Sequence, residues 1–427
     1  MASWLYVVDH FFRDLPAYSW WALTSFFHET DEVYLVSMSE VSSDLLLEAN
    51  IDIVVWNYAR PTNIDLISQS KKLGIYNIIH DTEGIPYDLR WYFSNLSPQQ
   101  FLNIDEIWAW GEVQKLHIES LLVDICSSSP LVRNTGSIRY EYIKSLPKIN
   151  LATSSMAALW NTNFPLLSPK YQTIDCEFNE LITSHKYLSM RESLEYFISI
   201  SDLRSYASTS IERILDNNQL DMTLYIRPHP FESLDYYEPI SSLYPQFNIS
   251  KNGDLHQDFE LVSLLIHSGC QTCLDGFMRG LPSFNFRKSL SNLWTLCSND
   301  ITNEIIEKKA FLDRDFLAEQ LELQHLLFEQ HGVAGYLSNL SSPISLDCTS
   351  SKKSLSAVPT LYCYYHRNYR RLKKGVKRII SNYRPNNVAP GKQSKLTARD
   401  IQQYFLDSYH LFMPIYSRFL VHIRKDN

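Results

Sequence analysis

Glycine is scarce in this 427-residue chain, with 12 in all. None of them builds the Gly-rich phosphate loop of a Walker or dinucleotide-binding protein, so those two cradles are excluded. Cysteine is also sparse: seven, an odd number, and scattered. The nearest pair, Cys270 and Cys273, lacks the second pair a zinc site would need, which predicts core thiols and a reducing compartment. No charge-free apolar run reaches the ~20 residues of a membrane-spanning helix. No basic segment precedes the first apolar run, Trp4–Val8, so no signal peptide is expected. No Asp-x-Asp pair stands at a convincing strand end, and neither a metal nor a cofactor is expected.

What the chain does have is apolar and aromatic material: 45% hydrophobic residues, 13% aromatic, 26 tyrosines. That is enough for two cores, and the length calls for two domains and a tail. Net charge is −8. Residues 361–400 carry eleven Lys/Arg and one acid, so an acidic body bears a basic extension. This pattern predicts an anionic neighbour, a lipid surface rather than nucleic acid, which the acidic body would repel. Tyr362, Tyr364, Tyr365 and Tyr369 beside the charges suit a membrane interface.

Short apolar runs ended by Gly, Pro or polar residues alternate with helical periodicity, the mark of a doubly wound parallel sheet. In the first half the expected strands are Leu5–Val8, Val33–Val36, Ile51–Trp56, Ile75–His80 and Glu106–Trp110. Helices are expected over Pro16–Phe27, Glu40–Ala49, Thr62–Leu73 and Glu112–Leu122, with Gly74 as a helix stop. A boundary falls near residue 150. The second half opens with a strand in Leu151–Leu159 and a long helical region over Lys170–Asn217. Two strands follow, Met222–Ile226 and Leu261–Ile266, then a helix over Cys273–Arg279 and a strand near Leu281–Phe286. Helical signal returns over Asp313–Gln330. Ser338–Ser356 reads as a linker, and Ala398–Ile423 as a closing helix. The expected division is 1–150, 151–350, and 351–427 as basic linker and helical segment.

In open α/β sheets, chemistry gathers at the carboxyl ends of strands. Three polar clusters stand there. Arg227-Pro228-His229-Pro230 fixes an imidazole between two prolines, and an Arg fork with a ring N–H suits a phosphate; a rigid turn with a capping His is the alternative. Ser268-Gly269-Cys270-Gln271-Thr272 precedes a helix, where Gly269 permits close approach and free N–H groups and hydroxyls suit an anion; simple N-capping is the alternative. His267 reads as structural. In the first half, Asp81-Thr82-Glu83-Gly84 puts carboxylates where a general base for an acceptor hydroxyl would stand. Asp9, His10, Arg13 and Asp14 end the first strand and share that rim.

With Trp110–Gln114, Asn134–Ser137 and Asn161–Pro165, these motifs in this order resemble the bacterial surface carbohydrate biosynthesis proteins, over about residues 4–345. The family looks like glycosyltransferases of the GT-B type, with two Rossmann-like domains facing across a cleft. The order is also similar to that of bacterial sialyltransferases and Kdo transferases. In those, an acidic-acidic-Gly motif supplies the acid/base, and a His-Pro motif and a Ser/Thr turn bind the donor CMP. The resemblance implies Glu83 or Asp81 as base, with Thr82 standing where an acid is usual. It implies donor binding by Arg227, His229, Pro230, Ser268, Gly269 and Thr272. It further implies a nucleotide-sugar donor, a glycan or lipid-linked acceptor, and a cytoplasmic enzyme peripheral to the inner face of the plasma membrane through 361–400. A CDP-polyol phosphotransferase of the teichoic-acid type and a non-catalytic partner in an assembly complex are the alternatives.

Overall fold

The computed structural model describes residues 2–10, 12–24, 32–60, 62–82, 96–125, 130–152, 154, 156–184, 190–216, 222–250, 253–286, 299–301, 305, 313–337 and 420–424. Glu83 and Gly84, the Ser338–Ser356 linker and the basic stretch 361–400 lie outside them.

The first domain is a sheet of seven strands: β1 (Ser3–Val8), β2 (Glu32–Ser37), β3 (Ile53–Trp56), β4 (Tyr76–Ile79), β5 (Glu106–Ala109) and β6 (Leu131–Asn134), with one from the far end of the chain. Those six are parallel, in the order β2-β1-β3-β4-β5-β6. Their cores read as continuous apolar runs because helices cover both faces. Ile53, Val54, Val55 and Trp56, for example, are at most 2% exposed. Each such side chain contributes about 1.5–3 kcal/mol by leaving water. Alternate residues feed two cores: Tyr6, Val8, Ile53, Val55 and Ile78 one face, Leu5, Val7, Val54, Trp56 and Ile79 the other. Helices Ile64–Lys72 and Glu112–Ile125 connect the strands much as the periodicity predicts. Gly74 stops the first of these in the left-handed region, φ 81°, where a Cβ would be strained.

The second domain holds a six-stranded parallel sheet ordered β12-β11-β10-β7-β8-β9. Its strands are β7 (Ala157–Asn161), β8 (Thr223–Arg227), β9 (Phe247–Ile249), β10 (Leu264–His267), β11 (Ser283–Asn285) and β12 (Asn299–Asp300). The long helical region predicted over 170–217 is two helices, Ile174–Ser184 and Met190–Asp216. β9 was not visible as a strand in the pattern, since three residues carry too little periodicity.

Two facing doubly wound domains make this a GT-B fold. The domains share a core, in which Cys273, Leu274, Phe328 and Val333 of the second pack among Tyr18, Trp110 and Tyr140 of the first. The helix Val333–Tyr336 reaches back across the boundary, and the Tyr336 hydroxyl and His117 Nδ1 lie 3.2 Å apart. Gly111 meets the backbone of Gly335 and Tyr336 so closely that a Cβ there would overlap it.

One expectation is corrected. Residues 420–423, expected as the end of the closing helix, belong instead to a strand, β13 (Leu420–Arg424), antiparallel to β2. Edge pairing overrides the helical spacing here: β2 would otherwise present an open row of backbone donors and acceptors. The rest of the predicted helix, 398–419, lies outside the described residues. Among the described residues no helix is long and apolar enough to cross a membrane.

Candidate functional site

Both sheets reverse strand order once, between β1 and β3 in the first and between β7 and β10 in the second. At such a switch point adjacent connections leave on opposite faces and open a crevice at the carboxyl edge. The Asp9–Asp14 cluster follows β1 and the Ser268–Thr272 cluster follows β10, at these two points, whereas the Asp81 and Arg227 clusters follow β4 and β8, one strand further out.

On the first rim, Asp9 and His10 follow β1 and lead to the helix Asp14–Thr24. Asp14 is buried and accepts from the backbone N–H groups of Asp9 (3.2 Å) and His10 (2.9 Å). Arg13 grips it with two nitrogens, Nε to Oδ1 at 2.6 Å and Nη2 to Oδ2 at 3.2 Å. Burial raises the Asp14 pKa, but Arg13 outweighs this and holds the carboxyl below its ordinary value. The same Nη2 lies 3.5 Å from Asp9 Oδ2 and donates to Thr82 Oγ1 at 3.3 Å. Thr82 is thus an acceptor for Arg13. Asp81 is 8% exposed, and its backbone carbonyl accepts from Trp110 Nε1 at 2.7 Å.

Three more groups stand on this rim: His10, expected there with its neighbours, and Asn57 and Tyr18, which carried no sequence signal. Half-buried His10 accepts from the Arg13 N–H through Nδ1, and burial with the Arg13 charge lowers its pKa to about 4. It is therefore neutral and offers Nε2–H, a donor rather than a base. Asn57, at the end of β3, is fully buried with no partner for either amide atom, and the fully buried Tyr18 hydroxyl likewise has none. Their positions follow from fold, not motif.

On the second rim, His267 is fully buried at the end of β10, and its Nδ1 accepts from the Gly269 (3.1 Å) and Cys270 (3.4 Å) N–H groups. Burial lowers its pKa to about 3, so it stays neutral and fixes the turn. Gly269 takes φ 81°, which a side chain would resist. Ser268 is 1% exposed and its hydroxyl is without a partner. The helix Thr272–Arg279 then starts with no side-chain cap. Asn161, at the end of β7, donates to Thr272 Oγ1 and Cys270 Sγ, each at 3.3 Å.

The Arg227–Pro230 turn is built differently. Arg227 donates to buried Asp258 (2.6 Å) and to the Gly253 carbonyl (2.7 Å), so two of its terminal nitrogens brace the loop after β9. The His229 ring accepts the Phe231 N–H through Nδ1 at 3.3 Å. The turn is anchored by Glu232, which sequence reasoning missed. Its buried carboxylate accepts from Thr162 Oγ1 (2.7 Å), Phe164 N (3.2 Å), His229 N (3.3 Å) and the Tyr237 hydroxyl. Pro230 is exposed.

The two rims meet through the helices Ile138–Ser145 and Thr272–Arg279. Arg139 pairs with Asp275, whose side chain is fully buried and whose second oxygen has no partner. Burial raises the Asp275 pKa against the opposing pull of Arg139. Gln271 Nε2 donates to the Tyr140 hydroxyl at 3.3 Å. Phe12 lies against Gly253, where a Cβ would overlap its ring. Among the described residues no three of His, Cys, Asp and Glu gather as a metal ligand set.

No family profile matches the sequence, and no curated protein does. Similar solved structures include a UDP-GlcNAc 2-epimerase from Neisseria meningitidis bound to UDP-GlcNAc, 10% identical over 77% of this chain and 99% of that one, TM-score 0.46. Another is the S. aureus MnaA–UDP co-structure, 10% identical over 75% and 91%, TM-score 0.47. A third is the spinosyn rhamnosyltransferase SpnG, 10% identical over 79% and 95%, TM-score 0.37. At these scores the likeness carries nothing about activity, and the fold assignment stands on this chain's own sheet order.

Proposed function

We propose that the protein is a glycosyltransferase that moves a sugar from a nucleotide-sugar donor to a surface polysaccharide or lipid-linked glycan. The observation that carries this reading is the second switch point. There a helix start without a side-chain cap, a left-handed glycine and a buried, unpartnered Ser268 hydroxyl stand together, an arrangement that suits an anion. Ser268, Gly269 and Thr272 would hold the donor phosphate, and His229 with Pro230 would flank the nucleotide. Arg227 enters as the brace of the strand end. Preset dipoles would stabilise the leaving diphosphate or monophosphate, without a metal. Asp81 or Glu83 would take the acceptor proton at the first rim, beside the Asp9–Arg13–Asp14 cluster. A CMP-linked ulosonic acid is the donor class favoured by the motif order. Residues 361–400 would keep the enzyme at an anionic membrane surface in the cytoplasm.

Thermal shift against CMP, CDP, UDP, GDP, ADP and dTDP, with Mg²⁺ and with EDTA, tests the cradle. One nucleotide should raise the melting temperature without metal and fail to do so in Ser268→Ala. Its sugar conjugate should then be turned over, and Asp81→Asn or Glu83→Gln should abolish transfer. Full activity in both carboxylate variants would remove the assigned chemistry. Nucleotide binding without turnover would favour the non-catalytic partner, and turnover of a CDP-polyol the phosphotransferase.

A further inference from the structure

Beside the His229-Pro230 turn the second domain displays two aromatic rings that no packing requires. Tyr171 is 71% exposed and Phe231 57% exposed, with ring centroids 6.1 Å apart. They are nevertheless held firmly. Pro169 and Glu232 form an antiparallel bridge, Lys170 N–H donates to the Phe231 carbonyl at 2.9 Å, and Ser233 N–H donates to the Ser168 carbonyl at 2.7 Å. This short ladder ties the segment after β7 to the turn after β8. Arg204 fixes it from behind, donating to Ser168 Oγ at 2.8 Å. Glu232 pins the other strand of the ladder through its four acceptor contacts. The His229 ring lies 5.6 Å from that of Phe231, and Lys170 Nζ sits 5.3 Å over Tyr171.

Exposed apolar rings cost free energy in water, and rigidity at such a place lowers the cost of binding rather than of folding. We infer that Tyr171 and Phe231 form a stacking platform for the base of the donor nucleotide. This rests on the nucleotide-sugar reading above and adds the residues that hold the base. The placement suits it. The Phe231 turn follows β8, the Ser268 turn follows β10, and β7 lies between them. The strands that lead into the Phe231 and Ser268 turns are two spacings, about 10 Å, apart along the same carboxyl edge. Every base has a π-face, so the platform holds a base without choosing it.

Isothermal titration of the full chain should compare the six nucleotides with pyrophosphate and ribose 5-phosphate, which lack a base. The preferred nucleotide should bind at least about tenfold tighter than either base-free probe. Phe231→Ala and Tyr171→Ala should each weaken it about tenfold and leave pyrophosphate unchanged, whereas Phe231→Trp should restore it. Both residues are exposed, so the variants should melt with the wild type. Unchanged nucleotide affinity in both alanine variants would overturn the platform. So would equal losses for nucleotide and pyrophosphate, or a wild type that does not prefer a nucleotide. A wild type that binds no phosphate-bearing probe would overturn the cradle as well, which separates the two failures.

Discussion

Glu232→Ala should be the most damaging single change in the second domain. The carboxylate is 2% exposed and accepts from two hydroxyls and two backbone N–H groups. Burial, with the Glu232 charge beside it, pushes the Tyr237 pKa up, so that hydroxyl remains a donor across the working range. A hydrogen bond to a charged group contributes roughly 1.5–3 kcal/mol, and a buried donor left unpaired costs about 1–3 kcal/mol. The four contacts share one acceptor and will not add, so the loss should be about 4 kcal/mol, near the upper end for a point change. For a domain of this size that is about 8–16 °C in melting temperature. Glu232→Gln keeps one acceptor oxygen and should lose roughly half as much. Differential scanning calorimetry with hydrogen exchange over 222–237 would measure both. Melting of Glu232→Ala within about 2 °C of wild type, with the 228–233 amides still protected, would refute the account of the turn.

Buried histidines should make the protein acid-labile. His267 and His80 are lowered by burial to about 3 and about 4, below the unfolded value of 6.5. Between those values the unfolded chain binds more protons, so their contribution is complete above about pH 6.5 and lost as pH falls towards 3–4. By pH 5 each should have cost about 2 kcal/mol, and His267→Asn, which keeps an acceptor for Gly269 and Cys270, should flatten the melting profile. Gly269→Ala should cost about 1–2 kcal/mol through its φ of 81° and weaken nucleotide binding, read by melting and titration. Asn57→Leu should raise stability by about 1–3 kcal/mol, because it removes two unpaired buried polar atoms at little change of volume. A lower melting temperature would instead show that the amide has a bound partner. Arg139→Ala should cost about 3–5 kcal/mol by leaving Asp275 buried and unpaired, and Arg139→Ala with Asp275→Ala should recover part of it in a double-mutant cycle.

The parallel strands were legible because a buried strand needs only a short apolar run and a terminator, as at Ile53–Trp56 followed by Asn57, or Leu264–His267 followed by Ser268 and Gly269. The polar clusters were legible because strand ends in such sheets have fixed polarity. Residue roles within the clusters were not. Arg227 looked like a phosphate ligand, yet its partners are Asp258, 31 residues on, and Gly253, which no local pattern could pair with it. Glu232, two residues after Pro230, carries no signal of its own in the local sequence. Only the return of the chain through Thr162 and Phe164, about 70 residues earlier, makes it an anchor. Leu420–Ile423 was read as the end of a helix because so short a run shows neither period clearly, and the choice lay with β2.

The Thr272–Arg279 helix links these features. The Ser268–Gln271 turn leads into it, Asp275 in its first turn pairs with Arg139 of the other domain, and Gln271 touches Tyr140. An anion held by that turn would sit at the start of the same short helix as the buried Asp275 carboxylate, and two negative charges in a region of low dielectric repel. A phosphate bound there would disfavour the ionised form of Asp275 and make it depend more on Arg139, since its second oxygen has no partner of its own. Ligand and domain contact would then be coupled by charge through a single element, equally in both directions.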